Sequence, residues 1–362
     1  MSRPAIAYIR LDAFRHNYRL AKKLHGGRAL AVIKANAYGH GAVQCALAIE
    51  DEADGFAVAS IEEALALRDA GIMAPILLLE GFFEVAELPE IKAHNLWIVV
   101  HHLWQVEALM AAKLRRPLTV WLKMDSGMHR VGLAPDAYRL AYEKLINHPN
   151  VSQIVLMSHF ARVDEPASAH PPQQLEIFRA AIAGINAPVS LSNSAGVLGW
   201  PLSYADWARP GIMLYGVNPI AGQTVSSGDR LRPVMQLEST VISLRTIPSG
   251  EPVGYGCTFV AERPTRVGVV ACGYADGYPR IAQTGMPVAV AGKLTRLIGR
   301  VSMDMLTVDL TDLPEANLGS RVELWGDQVP VNEVASRAGT IAYELLCNVK
   351  RAHFQYSDTS KQ

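Results

Sequence analysis

Arg28-Ala29-Leu30-Ala31-Val32-Ile33 is an apolar run closed by Lys34 and by the tract Ala35-Asn36-Ala37-Tyr38-Gly39-His40-Gly41. A strand buried on both faces reads as such a continuous run rather than as an alternation. Seven further runs follow, at residues 55–59, 75–79, 96–100, 118–124, 153–158, 189–192 and 205–209. Helix-like stretches lie between them. Asp12 is placed to cap a helix that carries Phe14, Tyr18 and Ala21 on one face. Ser60-Ile61-Glu62-Glu63 reads as a capping box opening a helix that ends near Gly71, and 171–185 is another amphipathic run. Eight buried strands alternating with helices predict a (β/α)8 barrel of the TIM type. A doubly wound open sheet gives the same alternation, and the strand count favours the barrel.

From about residue 226 the texture changes. Segments 235–247, 266–272, 287–291 and 297–310 are β-branched, alternating and punctuated by glycine, and no long helical pattern returns until Asn332. A mostly-β C-terminal domain over 229–362 is expected after a barrel over 1–228. The segment 221–232, with Gly222, Ser226, Ser227 and Gly228, reads as the linker. The first strand-like run, 5–10, suits either domain.

Half of the 362 residues are hydrophobic and 19% are charged, which excludes a disordered chain. Lys+Arg and Asp+Glu both number 34, and no basic run stands out, so neither composition nor patterning suggests nucleic acid as a partner. The first residues carry no long apolar stretch of the signal-peptide kind, and the most apolar runs are too short to span a bilayer. Cys45, Cys257, Cys272 and Cys347 lack metal-type spacing and read as reduced thiols. A cytoplasmic protein without a metal or a membrane partner is expected.

In barrels of this kind the active site forms at the C-terminal ends of the strands. Polar residues gather there: Lys34 after the first run, Lys123, Asp125 and Arg130 at the fifth, His159 after the sixth, Asn193 and Ser194 after the seventh, and Arg209 at the eighth. Taken singly each has an ordinary reading. A lysine at a strand end can snorkel, a histidine can be a satisfied core residue, and 123–130 can be a surface ion-pair cluster. The functional reading of Lys34 is an amine in a partly dry pocket, where its pKa falls and a Schiff base becomes possible. The segments 192–196 and 209–212 suit either two helix caps or an anion site using the N–H groups of Gly211 and Ile212. Gly254-Tyr255-Gly256-Cys257 and Gly273-Tyr274-Ala275-Asp276-Gly277-Tyr278 read locally as aromatic turns.

Taken together, from Ala5 to about Asn348, these residues resemble the alanine racemase family. The tract 31–41 looks like that family's pyridoxal phosphate (PLP) lysine motif, and 122–130, 158–161, 209–212, 254–256, 273–277 and 300–304 match further motifs in the same order. Several long motifs in order outweigh the ordinary reading of any one of them.

The resemblance implies interconversion of L- and D-alanine with pyridoxal 5'-phosphate as cofactor. Lys34 carries the cofactor and acts as one base; Tyr255 is the other base and reaches the partner subunit's site in a homodimer with shared active sites. Arg209 faces the pyridine nitrogen, and His159 links it to Tyr255. Tyr38, Ser194, Gly211, Ile212 and Tyr343 hold the phosphate, with Asn193 in the same cofactor site. Arg130 contacts the cofactor's phenolic oxygen and the substrate carboxylate, and Lys123 matches a lysine that is carbamylated in many members. Met303 offers its backbone N–H to the carboxylate, and Asp164, Tyr274, Arg280 and Arg300 line the access channel. Segment 350–362 matches no motif. The chemistry suits these groups, because inverting one centre on a fixed substrate calls for acid–base groups on opposite faces.

Other readings stay open at this point. A broad-specificity racemase or a PLP-dependent amino-acid decarboxylase shares the two-domain architecture, but a decarboxylase would not need Tyr255 opposite Lys34. A non-catalytic PLP-homeostasis protein resembles the barrel alone, and the β-rich domain argues against it. Whether the D-alanine made serves peptidoglycan, or alanine is being catabolised, is not written in these residues.

Overall fold

A computed structural model describes residues 3–114, 116–220 and 230–358. The chain opens on strand β1 (Ile6–Arg10) and helix α1 (Leu11–His25). Nine short strands follow: β2 (Arg28–Ala29), β3 (Ala31–Val32), β4 (Phe56–Val58), β5 (Ile76–Leu78), β6 (Leu96–Val100), β7 (Leu118–Lys123), β8 (Val151–Met157), β9 (Val189–Ser190) and β10 (Trp207–Ala208). Between and after them lie helices α2 (Lys34–Gly39), α3 (Ala42–Ile49), α4 (Ile61–Asp69), α5 (Leu88–Ala93), α6 (Leu103–Ala111), α7 (Pro135–Leu145), α8 (His170–Ala181) and α9 (Ser194–Gly199).

The nine strands form one parallel sheet in the order β2-β10-β9-β8-β7-β6-β5-β4-β3. Its two ends are the same stretch of chain. Leu30 N–H donates to Ala208 O on one side and Ala31 N–H to Gly55 O on the other, so 28–32 closes the sheet as a single staggered strand. Eight apolar runs thus make a barrel, and the doubly wound alternative is excluded. The reason is visible in the burial: every residue of β4 and β5 is buried, as a strand between a packed interior and a layer of helices must be.

The chain forms two compact units, a barrel unit of 14–37 and 41–231 and a β unit of 1–13, 38–40 and 232–362. The β unit adds β11 (Met235–Ile247), β12 (Pro252–Val253), β13 (Phe259–Val260), β14 (Thr265–Val270), β15 (Pro287–Val290), β16 (Lys293–Arg296), β17 (Leu306–Asp309), β18 (Arg321–Trp325) and β19 (His353–Ser357), with helices α10 (Val331–Arg337) and α11 (Ala342–Cys347). Its main sheet runs β16-β15-β18-β11-β1-β19, with β14 and β17 continuing from β11. The first strand, open to either domain in the sequence, lies here, antiparallel to β11 and parallel to β19. Segment 350–362, in which the sequence shows no motif, supplies β19.

Four expectations are corrected. Helix α1 begins at Leu11, so Asp12 sits in its first turn, where its charge still suits the helix N-terminus. Ser60 is the N-cap of α4, but its side chain makes no cap bond, and the Glu63 carboxylate accepts from Ala59 and Ala35 N–H instead. Segment 297–310 is not one strand: Gly299, at φ 74°, turns the chain out, Ser302 N–H bonds Met305 O, and only 306–309 return as β17. The seventh and eighth runs shrink to two residues each, because the chain leaves the ladder as soon as it reaches the polar strand ends. The expected linker at 221–232, and the boundary at 228, fall largely on 221–229, outside the described residues. Among the described residues no helix is long and apolar enough to cross a membrane.

Candidate active site

Lys34 follows β3 at the C-terminal mouth of the barrel, half-exposed, with no carboxylate paired to it among the described residues. The turn it opens is left-handed. Ala35, Asn36, Ala37 and Tyr38 have φ of 52°, 52°, 53° and 50°. L-residues pay roughly 1–2 kcal/mol each for this region, so the surroundings must hold the turn. Ala37 N–H bonds Ile33 O, Gly41 N–H bonds Asn36 O, and the Asn36 side chain accepts Ala42 N–H. Asparagine tolerates this backbone better than most residues, whereas the two alanines and the tyrosine carry the full Cβ cost.

Lys123 ends β7 and is buried. Burial, then the charges of Arg209, Arg130 and Lys34, push its ammonium down to about 7, with Asp125 opposing. Asp125 Oδ1 accepts the N–H groups of Gly127, Met128 and His129 at 2.9–3.0 Å. Burial alone would raise its pKa, but these bonds hold the carboxyl below the usual range. Arg130, further along the same loop, is exposed.

Arg209, directly after β10, is 4% exposed. It donates to Ser190 Oγ, Ser158 O and His159 Nδ1, and no carboxylate pairs with it among the described residues. Burial pushes it down to about 10, which leaves it cationic at neutral pH. His159 is held well below the usual imidazole range by burial, then by Arg209, Lys123, Arg130 and Lys34. Ser194 Oγ, also buried, accepts N–H from Gly211 at 2.8 Å and from Met213 at 3.2 Å, so its own proton is left to donate. Gly211 N–H is therefore engaged within the protein, which amends its expected availability to an anion. The N–H of Ile212, which opens the short helical turn Ile212–Tyr215, has no carbonyl behind it in that turn. Asn193 caps α9 by accepting Gly196 N–H. Asp164 is exposed in the loop after β8.

Gln174 was not among the residues singled out from sequence. On α8, fully buried, it donates to His159 O and accepts Ala161 N–H, while His170 one turn earlier bonds Gly127 O. In sequence a glutamine in an amphipathic run is indistinguishable from a solvent-facing one. Only its helical phase, beside Leu175 and Phe178, hints that it points inward.

In the β unit, Tyr38 and Tyr343 lie with ring centroids 5.8 Å apart. Burial raises the Tyr38 hydroxyl above its ordinary value, so it is a neutral donor. A Cβ at Gly39 would come 2.2 Å from Leu346 O, so only glycine allows this approach. Tyr255 sits in a helical turn between Gly254 and Gly256, both at φ 73°, and is 71% exposed. A Cβ at Gly256 would lie 3.5 Å from the Arg300 guanidinium, which places that arginine against the Tyr255 turn. Tyr274 N–H bonds Ser302 O and Ala275 N–H bonds Met303 O, joining the loops that carry Tyr274 and Met303. Met303, Arg280 and Arg300 are exposed.

The barrel mouth thus gathers Lys34, Lys123, Arg130 and Arg209, and Asp125, the carboxylate that acts on Lys123, is itself engaged by backbone N–H groups. Such an excess of positive charge calls for an anion. The Lys34 amine suits a carbonyl, and the Ser194 hydroxyl with Ile212 N–H suits phosphate oxygens. A phosphorylated carbonyl compound such as PLP fits these donors.

Fold and site together define an enzyme built on a parallel (β/α)8 barrel, with an amine among guanidinium groups and a separate β-rich unit presenting tyrosines. The profile of the alanine racemase N-terminal domain matches residues 9–219, and that of the alanine racemase C-terminal domain matches 234–356. A catabolic alanine racemase of Pseudomonas putida is 62% identical over 98% of this chain and 99% of its own length. The crystal structure of a biosynthetic alanine racemase from Pseudomonas aeruginosa superposes with a TM-score of 0.95 at 51% identity, covering 98% of this chain and 99% of that one. The alanine racemase of Bartonella henselae, solved with covalently bound pyridoxal phosphate, superposes with a TM-score of 0.87 at 30% identity, covering 98% and 99%. The chain belongs to the alanine racemase family and is an enzyme of that family.

Proposed function

We propose that this enzyme interconverts L- and D-alanine in the cytoplasm with pyridoxal 5'-phosphate, as a homodimer whose two active sites are shared. The observation that carries the reading is the amine of Lys34, unpaired with any carboxylate among the described residues, at a barrel mouth that also holds Lys123, Arg130 and Arg209. When bound, PLP supplies an electron sink that makes the α-proton of alanine removable. Lys34 holds the cofactor and moves a proton at Nζ on one face of the substrate. Tyr255 of the partner subunit moves one at its phenolic oxygen on the other face. That role is supported by the family membership and by the 71% exposure of Tyr255 on a single chain.

Arg209 would meet the cofactor's ring nitrogen, and since it stays charged it would offer that nitrogen no proton of the kind a carboxylic acid would. His159 passes the influence of Arg209 on toward Tyr255. Tyr38, Tyr343, the Ser194 hydroxyl and the Ile212 N–H hold the phosphate, while Gly211, whose N–H goes to Ser194 Oγ, and Asn193 brace their loop. Arg130 and the Met303 N–H bind the substrate carboxylate. Lys123, whose ammonium burial pushes down to about 7, adds as its neutral amine to carbon dioxide, releasing one proton to solvent, and the resulting carbamate anion orients Arg130. Asp164, Tyr274, Arg280 and Arg300 line the way in. The test is to incubate the enzyme with PLP and L-alanine in D2O, following α-hydrogen loss by NMR alongside chiral analysis. Exchange with D-alanine formation is expected; exchange without D-alanine would remove Tyr255 from the mechanism.

A further inference from the structure

The left-handed turn after Lys34 needs something to hold its first N–H. In any helix the leading N–H groups lack an intrahelical acceptor. Ala35 N–H, the first after Lys34, donates to Glu63 Oε1 at 2.6 Å. The second oxygen, Oε2, accepts Ala59 N–H at 2.7 Å. Ala35 and Ala59 follow β3 and β4, which are neighbours in the barrel. Their backbone ladder ends with Ile33 N–H to Ala57 O, and two residues further out Glu63 takes over from it. One carboxylate on α4 therefore ties two strand ends together and caps the strained turn from outside.

We propose that Glu63 is a positioning residue for Lys34: it fixes the backbone from which the cofactor-holding amine projects. The inference rests on the reading that Lys34 holds PLP. The chemistry requires a carboxylate, because the two N–H groups reach two different oxygens. Glutamine has one acceptor and one donor, and its NH2 would face an N–H. The near-isosteric Glu63→Gln change should therefore fail where size alone would succeed.

The test compares wild type, Glu63→Gln, Glu63→Gln with Ala35→Gly, Lys34→Ala and the exposed-neighbour control Glu62→Gln. The dissociation constant for PLP and the pH dependence of the protein-bound cofactor's visible absorption are measured beside the urea midpoint, kcat and KM. Losing a charge-assisted bond at this turn should weaken PLP binding by about tenfold or more and displace the absorption titration, with kcat falling more than KM changes. Glu62→Gln should match wild type. Ala35→Gly, which accepts positive φ freely, should recover part of the loss; it also keeps the comparison open if Glu63→Gln alone folds poorly. Glu63→Gln that binds PLP within about twofold of wild type, with a superimposable titration, overturns the proposal alone. PLP binding unchanged in Lys34→Ala overturns it through the reading beneath it.

Discussion

Arg209 Nη2 donates to Nδ1 of His159 at 3.3 Å, so the imidazole accepts at Nδ1 and, when neutral, carries its proton on Nε2. Burial and the surrounding cations hold its pKa well below the ordinary value of about 6.5. Below that value the unfolded chain binds a proton that the folded chain refuses. Stability contributed by His159 is therefore present above about pH 6.5 and is lost as pH falls. Urea unfolding of the cofactor-free protein between pH 5 and 7 should show a slope that His159→Gln reduces by up to about 1.4 kcal/mol per pH unit. An unchanged slope would mean that His159 is protonated in the folded protein.

Lys123 behaves in the complementary window. Its ammonium is pushed down to about 7, against an ordinary value of about 10.4. Between those values the unfolded chain holds the proton and the folded chain has released it, so stability rises with pH there. Lys123→Met should be more stable than wild type at pH 6, by about 1–4 kcal/mol as for other apolar replacements of buried charge. The gap should narrow toward pH 10. On the proposed role of Lys123 in orienting Arg130, the same variant should also lose activity.

How far the sequence reaches can be judged from these residues. The eight barrel strands were legible because burial on both faces writes itself as continuous apolar runs, and Lys34, Lys123, His159 and Arg209 were legible because they break those runs at one end. In sequence Glu63 looks like a helix cap, because its true partners, Ala35 and Ala59 N–H, follow strands that meet it only in three dimensions. Gln174 was hidden for the same reason. The handedness of 35–38 does not show in the sequence: asparagine accepts positive φ without demanding it, alanine carries no signal for it, and the turn is held by hydrogen bonds from elsewhere. Strand β19 escaped notice because His353–Ser357 pairs with β1, at the opposite end of the sequence, and with one side largely exposed it lacks a core strand's apolar signature.

The loops carrying Tyr274 and Met303 depend on one buried carboxylate. Asp276 is fully buried; it accepts Gly273 N–H at 2.9 Å, pairs with Arg3 at 2.6 Å and lies 3.5 Å from Arg351. Arg3 also donates to Asp304 O, beside Met303. Asp276→Asn leaves two guanidinium groups without their shared charge and should cost on the order of 3 kcal/mol in urea unfolding. Arg3→Met should cost less, about 1 kcal/mol, because Arg351 remains and Arg3 is partly hydrated. Both should raise KM for alanine more than they lower kcat, as the loop bearing the Met303 N–H loosens.

The proposed sharing of sites makes a quantitative prediction for mixed subunits. Lys34→Ala and Tyr255→Ala proteins should each be nearly inactive. Unfolded together in equal amounts and refolded with PLP, half of the dimers are hybrids, and each hybrid has one site with both bases intact. About a quarter of wild-type activity should return. No recovery, with subunit exchange verified by mass, would mean that each site is built within one chain.

The left-handed turn itself can be tested by a substitution whose sign depends on handedness. Ala35 is exposed and sits at φ 52°, where a Cβ is unfavourable and glycine is not. Ala66 is equally exposed but lies within the right-handed helix α4. Ala66→Gly should destabilise by about 1 kcal/mol, the ordinary cost of glycine in a helix interior. Ala35→Gly should stabilise by a similar amount, about 1 kcal/mol, because the strain it relieves exceeds the added freedom of the unfolded chain. Equal losses at both positions would show that 35–38 is not held at positive φ in solution. The expected opposite signs would mean that strain is maintained beside Lys34 by its surroundings, which is the condition under which a cap such as Glu63 matters for the position of the lysine.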